Sequence, residues 1–186
     1  MDLAECKGIY VIAEQFEGKL RDVSFELLGQ ARILADTIGD EVGAILIGKD
    51  VKPLAQELIA NGAHKVYVLD DPKVEHYNTT AYAKCICDFF EEEKPNVFLV
   101  GATNIGRDLG PRVANRLQTG LTADCTGLDV DEDGKTIVWT RPALGGNIMA
   151  EIICPDNRPQ MGTVRPHVFK KPEADPSATG EVIEKK

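Results

Sequence analysis

Val42–Asp70 reads VGAILIGKDVKPLAQELIANGAHKVYVLD, two apolar runs flanking a segment of different period. VGAILIG is apolar on every position, which suits a strand covered on both faces rather than one lying against water. Asp50 and Pro53 then open a short helix containing Leu54, Leu58 and Ile59, and Asn61-Gly62 ends it. KVYVLD (Lys65–Asp70) forms the next strand. Strand, helix and strand joined by short connections make a right-handed βαβ unit with its two strands parallel.

The same rhythm extends in both directions. GIYVIAEQ (Gly8–Gln15) predicts an earlier buried strand, followed by a helix capped by Asp22. Leu27, Ala31, Leu34 and Ile38 recur at helical spacing on it, and Gly39 stops it. Downstream, Asn78 caps a helix through Tyr82, Cys85, Ile86, Phe89 and Phe90, and NVFLVG (Asn96–Gly101) predicts a fourth strand. The expected fold class is α/β, an open and mostly parallel sheet of βαβ units. Such sheets hold ligands beyond the carboxyl ends of their strands where strand order reverses, which directs attention to the loops after Ile12 and Val100.

The second of those loops, GATNIGRDLGPRVANRL (Gly101–Leu117), has Gly101 and Gly106 for close backbone approach. Thr103 and Asn104 stand at a helix start, where free N–H groups favour an anion. Neither GxGxxG nor GxxxxGK[ST] is present, so an ordinary capped helix start explains the loop equally well. Arg107 and Asp108 read as a surface pair.

After Leu117 the alternation stops. LTADCTGLDVDEDGKTIVWTRP (Leu121–Pro142) reads as two strands joined by an acidic turn. NIMAEIICP and QMGTVRPHVF supply two more short strands, so an antiparallel C-terminal extension is expected. The DVDEDG run lacks the closing glutamate of a calcium loop and reads as a solvated turn. KKPEADPSATGEVIEKK (170–186), rich in proline and charge, reads as a linker or tail.

A net charge of -9 with no basic stripe excludes a nucleic-acid binder. The five cysteines lack zinc or thioredoxin spacing and read as reduced buried thiols, while His64, His76 and His167 stand apart from one another. No metal site follows. No apolar run is long enough to span a bilayer, and the acidic start MDLAECKG has no basic leader, so a cytoplasmic location is expected.

In this order, GRDLGPRVA, LTADCTGL, TRPALGGN and RPQMGTVRP resemble the N-terminal domain of the alpha subunit of electron transfer flavoprotein, from about Gly8 to Phe169. The resemblance implies a three-layer, Rossmann-like domain akin to adenine nucleotide hydrolases over 1–169, with 170–186 leading toward an FAD-binding domain that these residues do not include. It implies a heterodimer with a beta subunit that carries electrons between dehydrogenases or reductases and an acceptor. No catalysis is expected from this chain alone. In that family the alpha subunit's second domain holds FAD, and the beta subunit holds AMP or, in electron-bifurcating members, a second FAD whose ring faces this domain.

On that reading the segment Thr119–Asn147 walls a flavin. Gly145 and Gly146 admit a close approach, and Arg141 supplies an always-ionised planar donor able to stack on a flavin or stabilise its reduced, anionic form. Thr140, Asp124 and Cys125 add hydrogen bonds, and Thr103 belongs to the glycine loop. A competing reading gives Arg141 and Arg165 to the beta-subunit contact, and another pairs Arg141 internally. Asp124 and Cys125 read equally well as a bonded carboxylate and a packed thiol. The alternative function is a free-standing nucleotide- or flavin-binding module with its pocket at the first-strand and GATN loops. Against a hydrolase, no base, nucleophile and orienting group fall together.

Overall fold

The computed structural model describes residues 3–143, 145 and 147–185. Strand β1 (Ile9–Ala13) is followed by a hairpin of β2 (Gln15–Phe16) and β3 (Lys19–Leu20), and then by helix α1 (Asp22–Ile38). Next come β4 (Val42–Gly48), α2 (Ala55–Ala60), β5 (Lys65–Asp70) and α3 (Thr79–Glu93). The chain continues through β6 (Val97–Gly101), α4 (Asn104–Arg116), β7 (Leu121–Cys125) and β8 (Gly127–Val130). It ends with β9 (Ile137–Pro142), β10 (Met149–Ile152), β11 (Gln160–Val164) and β12 (Glu181–Glu184).

Seven strands form the main sheet in the order β12-β5-β4-β1-β6-β11-β7, and every neighbouring pair is parallel. Strand order reverses at β1, whose neighbours are β4 and β6. Alternate side chains of β1 feed two cores: Ile9, Val11 and Ala13 pack with Leu27, Leu28 and Leu58 of α1 and α2 on one face. Tyr10 and Ile12 pack with Phe89, Phe90 and Val113 of α3 and α4 on the other. The expected α/β fold is present as a three-layer, Rossmann-like arrangement.

The antiparallel extension is a three-stranded sheet, β10-β9-β8. It lies on the α1 face, with Leu128, Ile137 and Trp139 in the same core as Leu27 and Leu28. Trp139 is fully buried against β11 at Gly162, where an added Cβ would come within 2.3 Å of the indole. The fully buried Gln160 joins the layers, accepting from the Ile137 N–H and donating to the Asn96 side chain and the Lys135 carbonyl. Gln160 thus satisfies hydrogen-bonding groups that burial would otherwise strand.

Several expectations are corrected. Met161–Val164 and Leu121–Cys125 belong to the parallel sheet, not the antiparallel extension, because β11 pairs with β6 across Gln160–Val164. Arg21, not Asp22, is the N-cap of α1, with no side-chain cap bond. Asn78 does cap α3 by accepting from the Ala81 N–H, and Gly39 closes α1 in the left-handed conformation. Within 170–186, read as a linker or tail, residues 170–180 cross α1 and α2, with Pro172 against Gly29 and the Asp175 N–H bonded to the Ala60 carbonyl. Glu181–Glu184 then adds a strand to β5, and Lys185 pairs with Glu92 and Glu93.

Candidate functional site

The site begins with a register fault. Gly162 of β11 pairs with Thr122 and Val164 pairs with Cys125, so β7 carries one extra residue over that interval. Asp124 takes up the excess in a left-handed conformation, φ 60, and its N–H donates to Thr163 Oγ1 at 2.8 Å. Bulges of this type re-aim a side chain. Here Asp124 meets Arg165, the residue after β11: Nη2 lies 2.6 Å from Oδ2 and Nε 3.2 Å from Oδ1. Arg107, from the first turn of α4, stands 3.5 Å from Oδ1.

The Arg165 hydrogen bond holds the Asp124 carboxyl below its ordinary range against the opposing effect of burial, with the charges of Arg165, Arg107 and Arg141 adding to it. Three guanidiniums, those of Arg165, Arg107 and Arg141, act on this one carboxylate.

Arg141 lies on β9, half-buried, and its only side-chain hydrogen bond among the described residues runs from Nε to the Pro142 carbonyl at 3.3 Å. Thr140 is also half-buried, and its carbonyl accepts from the Thr126 N–H. Gly145 has φ 99, and an added Cβ there would meet nothing within 4 Å, so its backbone faces open space. Gly146 lies outside the described residues. Across the strand pair Arg141 sits opposite Ala150 of β10, the edge strand of the small sheet. That edge exposes Ile148 at 65% and Met149 at 53%, with Ile152 and Ile153 beside them.

Not every expected site residue reaches this surface. Cys125 is fully buried, its thiol donates to the Thr122 carbonyl, and burial pushes it up to about 12. The thiol is a packed group with no path to a cofactor. Thr103 is the N-cap of α4, accepting from the Gly106 N–H at 3.0 Å, and its hydroxyl donates to Glu14 Oε2 at 2.7 Å. Arg107 and Asp108 are not a pair: Asp108 accepts from Tyr77 and Thr79.

The cluster thus gathers Asp124, Arg107 and Arg165, with Arg141 acting on it from β9; Thr140 is the neighbouring residue of that strand, Gly145 lies in the turn before β10, Cys125 is buried, and Thr103 is bonded to Glu14 at the start of α4. Sequence reasoning missed the link between Arg107 and Asp124. The signal available was position, since Arg107 opens a helix at the carboxyl end of a parallel strand, the usual ligand-bearing edge.

The second opening is a cleft of about 570 Å³ at the carboxyl ends of β1, β4 and β6. It lies where strand order reverses, lined by residues 14–18 of the first-strand loop and by Ile105 and Gly106 of α4, and none of Gly101, Ala102, Thr103 and Asn104 of the expected GATN loop lines it. Glu14 stands at its back, its peptide bracketed by the buried Ser24 hydroxyl, which accepts from the Glu14 N–H and donates to the Glu14 carbonyl. The Glu14 carboxylate accepts from the N-cap hydroxyl of α4 and so sets a negative charge beside the helix terminus where a phosphate would bind.

The donor set of the first cluster, planar and permanently charged guanidiniums around Asp124, has a chemistry that suits a flavin.

Comparison with known proteins gives the family. The model of the electron transfer flavoprotein domain matches residues 9–186. The chain is 93% identical over 186 residues to the electron transfer flavoprotein subunit alpha of Megasphaera elsdenii, covering 100% of this chain and 55% of that protein. It is 48% identical to the acryloyl-CoA reductase electron transfer subunit beta of Anaerotignum propionicum, covering 92% of this chain and 53% of that one. To the lactate dehydrogenase (NAD(+),ferredoxin) subunit LctC of Acetobacterium woodii it is 47% identical, covering 98% of this chain and 43% of that one. The chain spans about half the length of these relatives. Matched along almost its whole length, it belongs to the electron transfer flavoprotein family, with its resemblance to the alpha subunits.

Proposed function

We propose that this chain docks a beta subunit and forms one wall of a flavin site in a heterodimer that shuttles electrons between dehydrogenases or reductases and an acceptor. On this reading 1–169 is the alpha subunit's N-terminal α/β domain, and 170–186 leads toward the FAD-binding domain. The observation that carries the proposal is Arg141, which acts on the same carboxylate as Arg107 and Arg165 and pairs with Ala150 on an exposed apolar edge strand. The edge offers Ile148 and Met149 for burial against a partner, and Arg141 then faces what the partner holds. When bound, the flavin supplies the redox chemistry. The chain contributes the Arg141 guanidinium, with those of Arg107 and Arg165 beside Asp124, as donors that favour an added negative charge.

Where the beta subunit holds a second FAD rather than AMP, the same arginine would tune that flavin for electron bifurcation. A free-standing nucleotide-binding module is the weaker reading, because the cleft near Thr103 presents Glu14 where a phosphate would sit. The test is a flavin titration of this chain, alone and with the beta subunit, followed by absorbance and fluorescence. Binding that requires the beta subunit supports the shared site, whereas stoichiometric binding by the chain alone overturns it.

A further inference from the structure

The cleft at the strand-order reversal has a chemistry of its own. Its floor is apolar, built from Ile12, Ile47, Val100, Ile105 and Leu109, and the Tyr82 ring closes one side. The Tyr82 hydroxyl is turned away, within reach of the Ile47 and Val74 carbonyls at 3.4 and 3.3 Å, so the ring presents carbon to the cavity. Phe16 of the β2–β3 hairpin overhangs the mouth, 61% exposed. Pockets of this size and lining accept one small aromatic molecule.

Its polar rim selects against anions. Glu14, Glu17, Asp50 and Glu75 all line it, against Lys49 and His76, and Lys49 is paired with Glu75 at 3.3 Å. The N–H of Gly106 is bonded to Thr103, and Glu14 is held in place by that same hydroxyl. Space for a ring is therefore combined with a built-in carboxylate at the helix terminus that receives phosphate in other α/β sheets.

We infer that this cleft binds a planar aromatic molecule without phosphate, neutral or cationic, of the size of a nucleoside, with its ring between Tyr82 and Phe16 and its polar edge toward Glu14. The site is separate from the Arg141 cluster and does not depend on how that cluster is used.

The probes are adenosine and AMP, titrated into the 15N-labelled chain and followed by amide shifts. Adenosine should saturate with shifts centred on Glu14, Gly18, Lys49 and Ile105, and AMP should bind at least about ten-fold more weakly because its phosphate meets the Glu14 carboxylate. Glu14→Gln should narrow that gap. Ile105→Trp, which fills the cleft from the half-exposed first turn of α4, should abolish the shifts with the melting temperature preserved. The inference is overturned if AMP binds as well as adenosine, if adenosine moves none of these amides up to about 1 mM, or if Ile105→Trp, folded, binds as before.

Discussion

The Asp124 carboxylate and the Arg165 guanidinium form a two-pronged ion pair, Nη2 to Oδ2 at 2.6 Å and Nε to Oδ1 at 3.2 Å, across the bulge that joins β7 to β11. The pair fixes where positive charge stands at this end of the sheet. It is also a stability device with a defined pH window. Asp124 titrates below its unfolded value, so its contribution is present above about pH 4 and is lost as pH falls through the lower folded value. Asp124→Asn, which tolerates the left-handed backbone, should cost about 1 kcal/mol at pH 7. The difference in urea unfolding between the two proteins should shrink as the pH falls below about 4, and a pH-independent difference would contradict the ion-pair account.

Gly162 and Trp139 dock the small sheet on the large one. Gly162→Ala drives a methyl into the indole and should destabilise the chain by about 1–3 kcal/mol. Trp139 is the only tryptophan, so its emission reports the joint directly. A red shift under native conditions is expected, and an unchanged spectrum and melting temperature would show that the layers do not meet there.

Cys125 should be inert. With the thiol fully buried and pushed up to about 12 there is almost no thiolate at neutral pH, so alkylation of the native chain should leave Cys125 unmodified and label the half-buried Cys85 and Cys154 first. Peptide mass mapping reads the order of labelling.

The segment before β12 should depend on Gly180, where an added Cβ would fall 2.7 Å from the His64 carbonyl. Gly180→Val should release β12 from β5 and make residues 170–180 cleavable by proteases, with the rest of the chain folded. Equal resistance of the two proteins would mean that the strand holds without this contact.

Much of the fold was legible because both faces of β1, β4 and β6 are covered, which leaves continuous apolar runs that admit one interpretation. Gln160–Val164 misled because a five-residue strand bracketed by proline carries no sign of its partner, and β6 lies far off in sequence. Residues 181–184 escaped for another reason: an added edge strand is held by backbone hydrogen bonds to β5, which side-chain composition does not announce. At the site, Arg141 stood out by charge among small residues. The bulge at Asp124 reverses side-chain alternation within LTADC, so period-2 reasoning could not tell that Cys125 turns inward. Nor could it find Glu14 beside Thr103, a contact made only when β1 and β6 lie side by side.

The most direct measurement is flavin binding to the assembled pair of this chain and its beta subunit, comparing the unaltered chain with Arg141→Ala and Arg141→Lys. Loss of a positive donor should weaken binding or lower the flavin reduction potential by an amount equivalent to about 1–3 kcal/mol, with Arg141→Lys intermediate and the pair still assembled. Identical affinity and potential in all three proteins would contradict the account and remove Arg141 from the flavin site.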